Sequence, residues 1–451
     1  MPFSFLTRKL GQKVGVRPAV MRVIETVFTT GLVIAINLVT GVLAARMLAP
    51  EGRGELASIL IGLQVASQLS IVGLPAAAIY NIRKTPARTP EFVGAVFTLA
   101  AGSSLVASLL GMLIIPYWLD NYTPPIIHTA QMTILASVFW AALQVATPVL
   151  RARDEFFIFN GIRLLPPTTT MLCLIAMMFS GVDSPELVAI PYALSTCIFV
   201  FWPLFWIWRT CKPRFLGIGR EIRELLSYGS RSLAVDVVQT MSRFLDRILL
   251  VYLLAPAAVG LYVVAVSMAR PLQEMGSAIA LVLFPKASGY RDEAAIAVTG
   301  LAGRVGLFCM LLIGLPMLLV APLLLGVLFG KEFLPAVPVF RLLLIAVVLA
   351  STADILSQAF LATGKPGTAS ILRCVEMVTL VGLLFYRVPQ DGMLGAAEAI
   401  LAAAIVRFVG TVACYPLVLG HKLPRFYINR ADVQQIRSAR RGPAPAAPTQ
   451  E

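Results

Sequence analysis

The chain has 451 residues, of which 58% are hydrophobic and 13% charged, with a formal net charge of +14. An average soluble domain is roughly 25% charged and about 45–50% apolar, so this composition excludes an ordinary soluble globular protein and makes a bilayer the solvent for most of the chain. It shows no P-loop, no nucleophile with its base and no carboxylate cluster on a soluble segment, so neither an enzyme nor a cofactor is expected. Two histidines and six cysteines, without CxxC or metal-like spacing, give no reason to expect a metal site.

Residues 1–22 form a basic leader with Arg8, Lys9, Lys13, Arg17 and Arg22. Apolar runs long enough to cross a bilayer, about 20 residues at helical rise, then recur almost to the C-terminus. Twelve spans are expected, at about 23–45, 57–80, 92–115, 126–149, 157–180, 186–208, 228–253, 258–284, 300–328, 336–361, 367–386 and 393–418. The first run follows a basic segment and is long enough to persist as a helix, so it reads as a span and not as a cleavable signal. An even number of spans puts both termini on one side. Lys and Arg total 25 on that side and 4 in the alternate loops, and the positive-inside rule makes the termini cytoplasmic. The net charge is thus a topology signal, and no nucleic-acid partner is needed to explain it.

The outward loops are all short, which leaves no room for an external catalytic domain. One inner connection is substantial: RTCKPRFLGIGREIREL, Arg209–Leu225, basic and containing Pro and Gly. It reads as a cytoplasmic linker, 209–225, between six-helix halves at 23–208 and 226–419. Residues 420–451 end in RGPAPAAPTQE, a composition expected to give a disordered cytoplasmic tail.

The halves carry a repeat. Leu48-Ala49-Pro50 followed by Gly54 recurs as Leu254-Ala255-Pro256 followed by Gly260, 206 residues later and in each case between the first and second helix of its half. A weaker match sets Arg163 against Arg373, 210 residues apart. Six helices per half make this a parallel repeat about an axis along the membrane normal.

Charges inside the spans raise the functional question. An ionised side chain at the bilayer centre costs roughly 2.5–3.5 kcal/mol on insertion scales, so it needs a partner or a hydrated cavity. Eight arginines lie in spans, seven of them in the second half, with Arg304 at the start of the ninth span counted in the cytoplasmic loop before it. At 100° per residue, Asp236, Gln239, Thr240, Arg243, Asp246 and Arg247 share one arc of the seventh helix, and Ser267, Arg270, Gln273, Glu274 and Ser277 share one of the eighth. Two such faces on consecutive helices point to a hydrated cavity lined by Arg243, Arg247 and Arg270. The alternative is ion pairing for packing, because Arg243 with Asp246, Arg270 with Glu274 and Arg373 with Glu376 are three or four residues apart. Asp236, Asp246, Glu274, Arg163, Arg373 and Glu376 are accordingly candidates for coupling or ion-pair roles.

The segments FLDRILLVYLLAPAAVGLYVVAVSMARPLQEMGSAIALVLFPKAS and LAPEGRGELASILIGLQVASQLSIVGLPAAAIYNIRK resemble bacterial polysaccharide flippases, the O-antigen and exopolysaccharide translocases of the multidrug/oligosaccharidyl-lipid/polysaccharide exporter superfamily. The resemblance implies an all-α polytopic membrane protein with twelve transmembrane helices in two six-helix lobes around a central cavity. It also implies a polyprenyl-pyrophosphate-linked glycan as substrate, moved from the cytoplasmic to the outer leaflet of the bacterial inner membrane. Membrane lipids and other polysaccharide-assembly proteins are the expected partners. A small-solute or multidrug antiporter on the same fold, which favours an acidic cavity, and a non-transporting scaffold for glycan assembly are the competing readings.

Overall fold

The computed structural model describes residues 18–153, 155–287 and 292–427 with Asn429 and Asp432; the side chains at 18–24, 26–27, 230–236, 238–239, 242–243, 281–282 and 284–287 are outside the description. All regular structure among the described residues is helical. The elements are α1 (Pro18–Ser70), α2 (Leu74–Lys84), α3 (Thr89–Trp118), α4 (Pro124–Ile134), α5 (Ser137–Ala152), α6 (Phe156–Phe179), α7 (Pro185–Phe199) and α8 (Phe201–Cys211), followed by α9 (Gly219–Leu253), α10 (Pro256–Ala287), α11 (Asp292–Leu319), α12 (Ala321–Leu328), α13 (Val337–Ala362) and α14 (Pro366–Cys414).

Among the described residues, seven stretches are long and apolar enough to cross a membrane, and the bent pair α4–α5 makes an eighth. Two of the seven, Phe28–Lys84 and Pro366–Leu419, run to 57 and 54 residues, well over twice the ~20 residues that one crossing needs. Each is broken inside. Ala49 takes φ 54° and ψ −178° immediately before Pro50, whose ring bars the α conformation from the residue preceding it. Gly392 takes φ 57° and ψ −131°, a left-handed backbone that glycine adopts without a Cβ clash. The expected spans at about 228–253 and 258–284 fall on α9 and α10, which are outside the apolar set and carry the charged faces.

Packing divides the chain into two compact units: Met1–Ser267 with Leu325–Ala336, and Met268–Leu324 with Val337–Glu451. The division falls inside α10, because α9 and the start of α10 pack on the N-terminal helices. The indole of Trp118 donates to the Ile248 carbonyl at 3.0 Å and the Asn121 amide to the Tyr252 carbonyl at 3.3 Å. Arg46 caps the C-terminal end of α12, donating to the Leu328 carbonyl at 2.7 Å and the Val327 carbonyl at 2.5 Å. That interaction ties residues 325–336 into the first unit.

The repeated motif is a contact. A Cβ added at Gly54 would lie 1.8 Å from the Pro256 carbonyl oxygen, and one added at Gly260 would lie 1.8 Å from the Pro50 carbonyl oxygen. Each copy of L-A-P-x-x-x-G therefore offers its glycine to the proline carbonyl of the other, so α1 and α10 touch backbone to backbone. The rest of this unit is knitted by small polar side chains: Ser108 with Ser137 at 2.6 Å, and Thr170 with Ser195 at 2.9 Å. In the second unit, α11, α13 and α14 pack closely, with Phe360 edge-on to Tyr415 at 5.7 Å between ring centres.

Candidate functional site

In the first unit, α9 presents Asp246 and Arg247. Tyr262, on α10 and almost wholly buried, donates its hydroxyl to Asp246 Oδ2 at 2.9 Å. The other carboxylate oxygen, Oδ1, is buried and has no hydrogen-bond partner among the described residues. Arg247 is half-buried and has no carboxylate within salt-bridge distance among the described residues. The side chains of Asp236 and Arg243 lie outside the described residues, and so does the expected Arg243–Asp246 pair. Arg163, on α6, holds its guanidinium over the Phe159 ring, 5.4 Å from the centroid.

The second unit treats its charges differently. Arg270 and Glu274 approach to 3.6 Å with side chains 53% and 38% exposed, beyond hydrogen-bond reach and therefore a weak pair. Deeper, Arg407 is almost fully buried and bridges two acids: it pairs with Asp354 through Nη2 and with Glu376 through Nη1 at 3.2 Å. Asp354 also accepts from Arg373 at 2.5 Å. The local expectation of an Arg373–Glu376 pair is corrected by these contacts. Arg373 reaches across to α13, and Glu376 is held by Arg407 from the far arm of the same α14. Two arginines and two acids make the network neutral. A nearby clasp holds the Gly392 break, where Arg387 pairs with Asp391 at 3.0 Å and with Glu398.

The sequence alone assigns no role to Asp354 or Arg407. The available signal is the balance of charge in the last three expected spans, three bases (Arg341, Arg373, Arg407) against three acids (Asp354, Glu376, Glu398), because matched charges are what a closed network needs.

Outside the spans, the segment after α8 is fastened to α3. Arg88 pairs with Glu221 and, at 3.2 Å, with Glu224, and Arg214 pairs with Glu91 at 3.0 Å. Burial opposes the charge on Glu221 and Glu224, but hydrogen bonds from Arg88, and for Glu224 also from Arg220, outweigh it and hold both carboxyls below their usual range. The hydrogen bond to Glu221 in turn raises the Arg88 guanidinium. No group of three or more metal-ligating side chains comes together among the described residues.

Residues 42–338 match a family model described as polysaccharide biosynthesis protein. The chain belongs to this family. It is also 23% identical over 205 residues to a Shigella flexneri protein named "Putative O-antigen transporter", a match that covers 43% of this chain and about half, 48%, of that one. Among solved structures it resembles the lipid II flippase MurJ in an inward closed conformation, with a TM-score of 0.74 at 12% identity over 92% of this chain and 90% of the other. It also resembles an inward-facing multidrug resistance MATE transporter of the MOP superfamily, with a TM-score of 0.65 at 14% identity over 91% and 96%. At these identities the likeness establishes the fold, an all-helical multi-pass membrane transporter fold.

Within this family member the charged residues fall into two kinds. Arg407 directs both terminal nitrogens, and Arg373 one, at acids, and together they form a brace. Among the described residues, Arg247 has no acid within salt-bridge distance and Asp246 Oδ1 has no hydrogen-bond partner. A planar guanidinium can form paired hydrogen bonds to a phosphate or carboxylate, a capacity that Arg407 uses on Asp354 and Glu376.

Proposed function

We propose that the protein flips a polyprenyl-pyrophosphate-linked oligosaccharide from the cytoplasmic to the outer leaflet of a bacterial inner membrane by alternating access, in O-antigen or exopolysaccharide assembly. In this reading the chain crosses twelve times as two six-helix lobes around a central cavity, with both termini cytoplasmic, and works beside other polysaccharide-assembly membrane proteins. Arg243, Arg247 and Arg270 bind the pyrophosphate. Arg373 and Glu376 belong to the brace.

The observation that carries this reading is the contrast between acid-paired and acid-free arginines, joined to the family match. An anionic headgroup entering the bilayer needs cations that no fixed acid has neutralised, and Arg247 is such a cation among the described residues. Replacing Arg247 with Gln is expected to reduce surface glycan while membrane abundance stays normal, with Lys restoring only part of it because it lacks the bidentate fork. Normal glycan export in Arg247→Gln overturns the assignment. Reporter fusions at Asp120, Asp183 and Asp391 test the topology and should read as external.

A second reading, a small-solute antiporter, draws support from the Asp246 oxygen that has no partner among the described residues, which suits a cationic solute or coupling ion. It predicts that Asp246→Asn, rather than Arg247→Gln, abolishes transport. Accumulation of a lipid-linked oligosaccharide on the cytoplasmic leaflet after gene deletion separates the two.

A further inference from the structure

The ends of α2 and α5 meet the start of α6 in a cluster of cations. Arg83 donates to the Arg151 carbonyl at 3.3 Å, capping α5. Arg151 and Arg163 both lie over the ring of Phe159, at 5.9 and 5.4 Å from its centroid. Lys84 covers the Tyr80 ring at 5.2 Å and donates to its hydroxyl at 3.2 Å. Arg83, Lys84, Arg151 and Arg153 are exposed, and none has a carboxylate within salt-bridge distance among the described residues.

This departs from the neighbouring segment, where Arg88, Arg214 and Arg220 each have a glutamate. Unpaired exposed cations normally wander on flexible stems. Here a helix-end carbonyl and an aromatic face hold two guanidiniums, which lowers the entropy lost when an anion is bound. Phe157, two residues before Phe159 on α6 and 56% exposed, suits the interfacial depth where aromatic side chains border lipid headgroups.

We propose that Arg83, Lys84 and Arg151, with Phe159 beneath Arg151, form a binding site for the phosphate or diphosphate headgroup of a membrane lipid. The site is separate from the α9 and α10 cations, and it rests on the topology reading above only for its placement at the cytoplasmic surface. The phosphate chemistry has two sources, the diphosphate of a carried polyprenyl lipid and an anionic phospholipid of the bilayer.

The test uses the full-length protein in neutral detergent micelles. Binding of a short-chain polyprenyl diphosphate and of short-chain phosphatidylglycerol is followed by mass spectrometry of the intact complex. Each cation near a headgroup contributes about 1 kcal/mol, so Arg83→Gln with Arg151→Gln should weaken binding of at least one probe about 30-fold, while the Arg→Lys pair keeps most of it. Loss confined to the diphosphate assigns the site to the carried lipid, and loss confined to the phospholipid assigns it to the bilayer. Unchanged binding of both probes by the Gln pair overturns the proposal, and so does an equal loss in the Lys pair, which would show that charge is not the cause. Should the Gln pair fail to fold, Phe159→Leu removes the ring that orients the Arg151 guanidinium and carries the same expectation at smaller amplitude. Binding is read without export, so normal export in Arg247→Gln, which would end the flippase assignment, leaves this result standing.

Discussion

The two units join their helices by opposite means. In the first, α1 and α10 meet where side chains have been removed, Gly54 against the Pro256 carbonyl and Gly260 against the Pro50 carbonyl. In the second, α13 and both arms of α14 meet where charges have been added, through Asp354, Arg373, Glu376 and Arg407. Neither helix pair can rely on the hydrophobic effect, since lipid tails are as apolar as the side chains. Close van der Waals contact and desolvated ion pairs are the remaining sources of cohesion. The repeat has diverged accordingly: its glycine motif has the same surroundings in both copies, whereas Arg163 lies on an aromatic ring and its counterpart Arg373 lies on an acid.

Filling the glycine seam should have the largest effect. At 1.8 Å from a carbonyl oxygen, even a methyl group forces two backbones apart, and overpacking of this kind costs about 1–3 kcal/mol or more. Gly54→Leu and Gly260→Leu are expected to leave little protein in the membrane, and Gly54→Ala or Gly260→Ala to lower abundance and Tm. Gly102→Ala, with nothing within 4 Å of the new Cβ, should behave as wild type. Equal behaviour of Gly54→Ala and Gly102→Ala in a thermal-unfolding assay would remove the seam from the comparison.

Breaking the charge network comes next. Removing one member of a buried pair costs about 3–5 kcal/mol because its partner is left charged and unsolvated. Arg407→Gln should therefore reduce membrane abundance strongly, and Arg407→Gln with Glu376→Gln should recover part of it, since Asp354 keeps Arg373. A double variant no more abundant than the single would mean that the network is not the source of cohesion.

How far this was legible in the sequence differs by feature. Hydropathy revealed the helical membrane class, and the L-A-P-x-x-x-G repeat was visible at both positions. Its meaning was not, because a repeat does not say which helices touch, and only the reciprocal approach of Gly54 and Gly260 turns it into a contact. Spacing along one helix brought Arg373 and Glu376 together, whereas the observed partner of Arg373 is 19 residues away and that of Asp354 is 53 away. Such partners depend on tertiary packing and leave no local pattern. The breaks at Ala49 and Gly392 explain why two long helical stretches each have the length for two expected spans.

A third expectation concerns pH and the exposed clip rather than the buried brace. Glu221 and Glu224 are held below their usual range by Arg88 and Arg220, so their contribution is complete above the unfolded glutamate pKa, about 4.3. It fades as pH falls through the lower folded values, because protonation removes the charge that Arg88 binds. The Tm difference between wild type and Arg88→Gln should be present at pH 7 and shrink below about pH 4. A difference that persists unchanged to pH 3 would show that Arg88 acts through packing, such as its contact with the Phe92 ring at 5.0 Å. Partial exposure of Arg88 and Glu224 keeps the effect smaller than that of Arg407.

The smallest effect is expected at the tail, which extends the second unit's use of charge. Asp432 falls in the stretch expected to be disordered, yet it is buried and pairs with Arg304 of α11 through both oxygens, at 2.6 and 3.2 Å. Asn429 and Asp432 exchange side-chain-to-backbone hydrogen bonds at 3.0 and 2.8 Å. The bond from the Asn429 backbone is the main reason that the Asp432 carboxyl lies below its usual range, with Arg304 adding to it. Truncation after residue 441 keeps this anchor and should leave Tm and export unchanged. Truncation after residue 427 strips it away and leaves Arg304, 16% exposed, to find water instead. Because that guanidinium is near enough to the surface to be rehydrated, the expected loss is a Tm shift of a few degrees, on the order of 1 kcal/mol. Asp432→Asn in the full-length chain should reproduce most of that shift if the ion pair is the anchor. If Asp432→Asn is silent while the shorter truncation is not, the anchor lies instead in the backbone of 428–432.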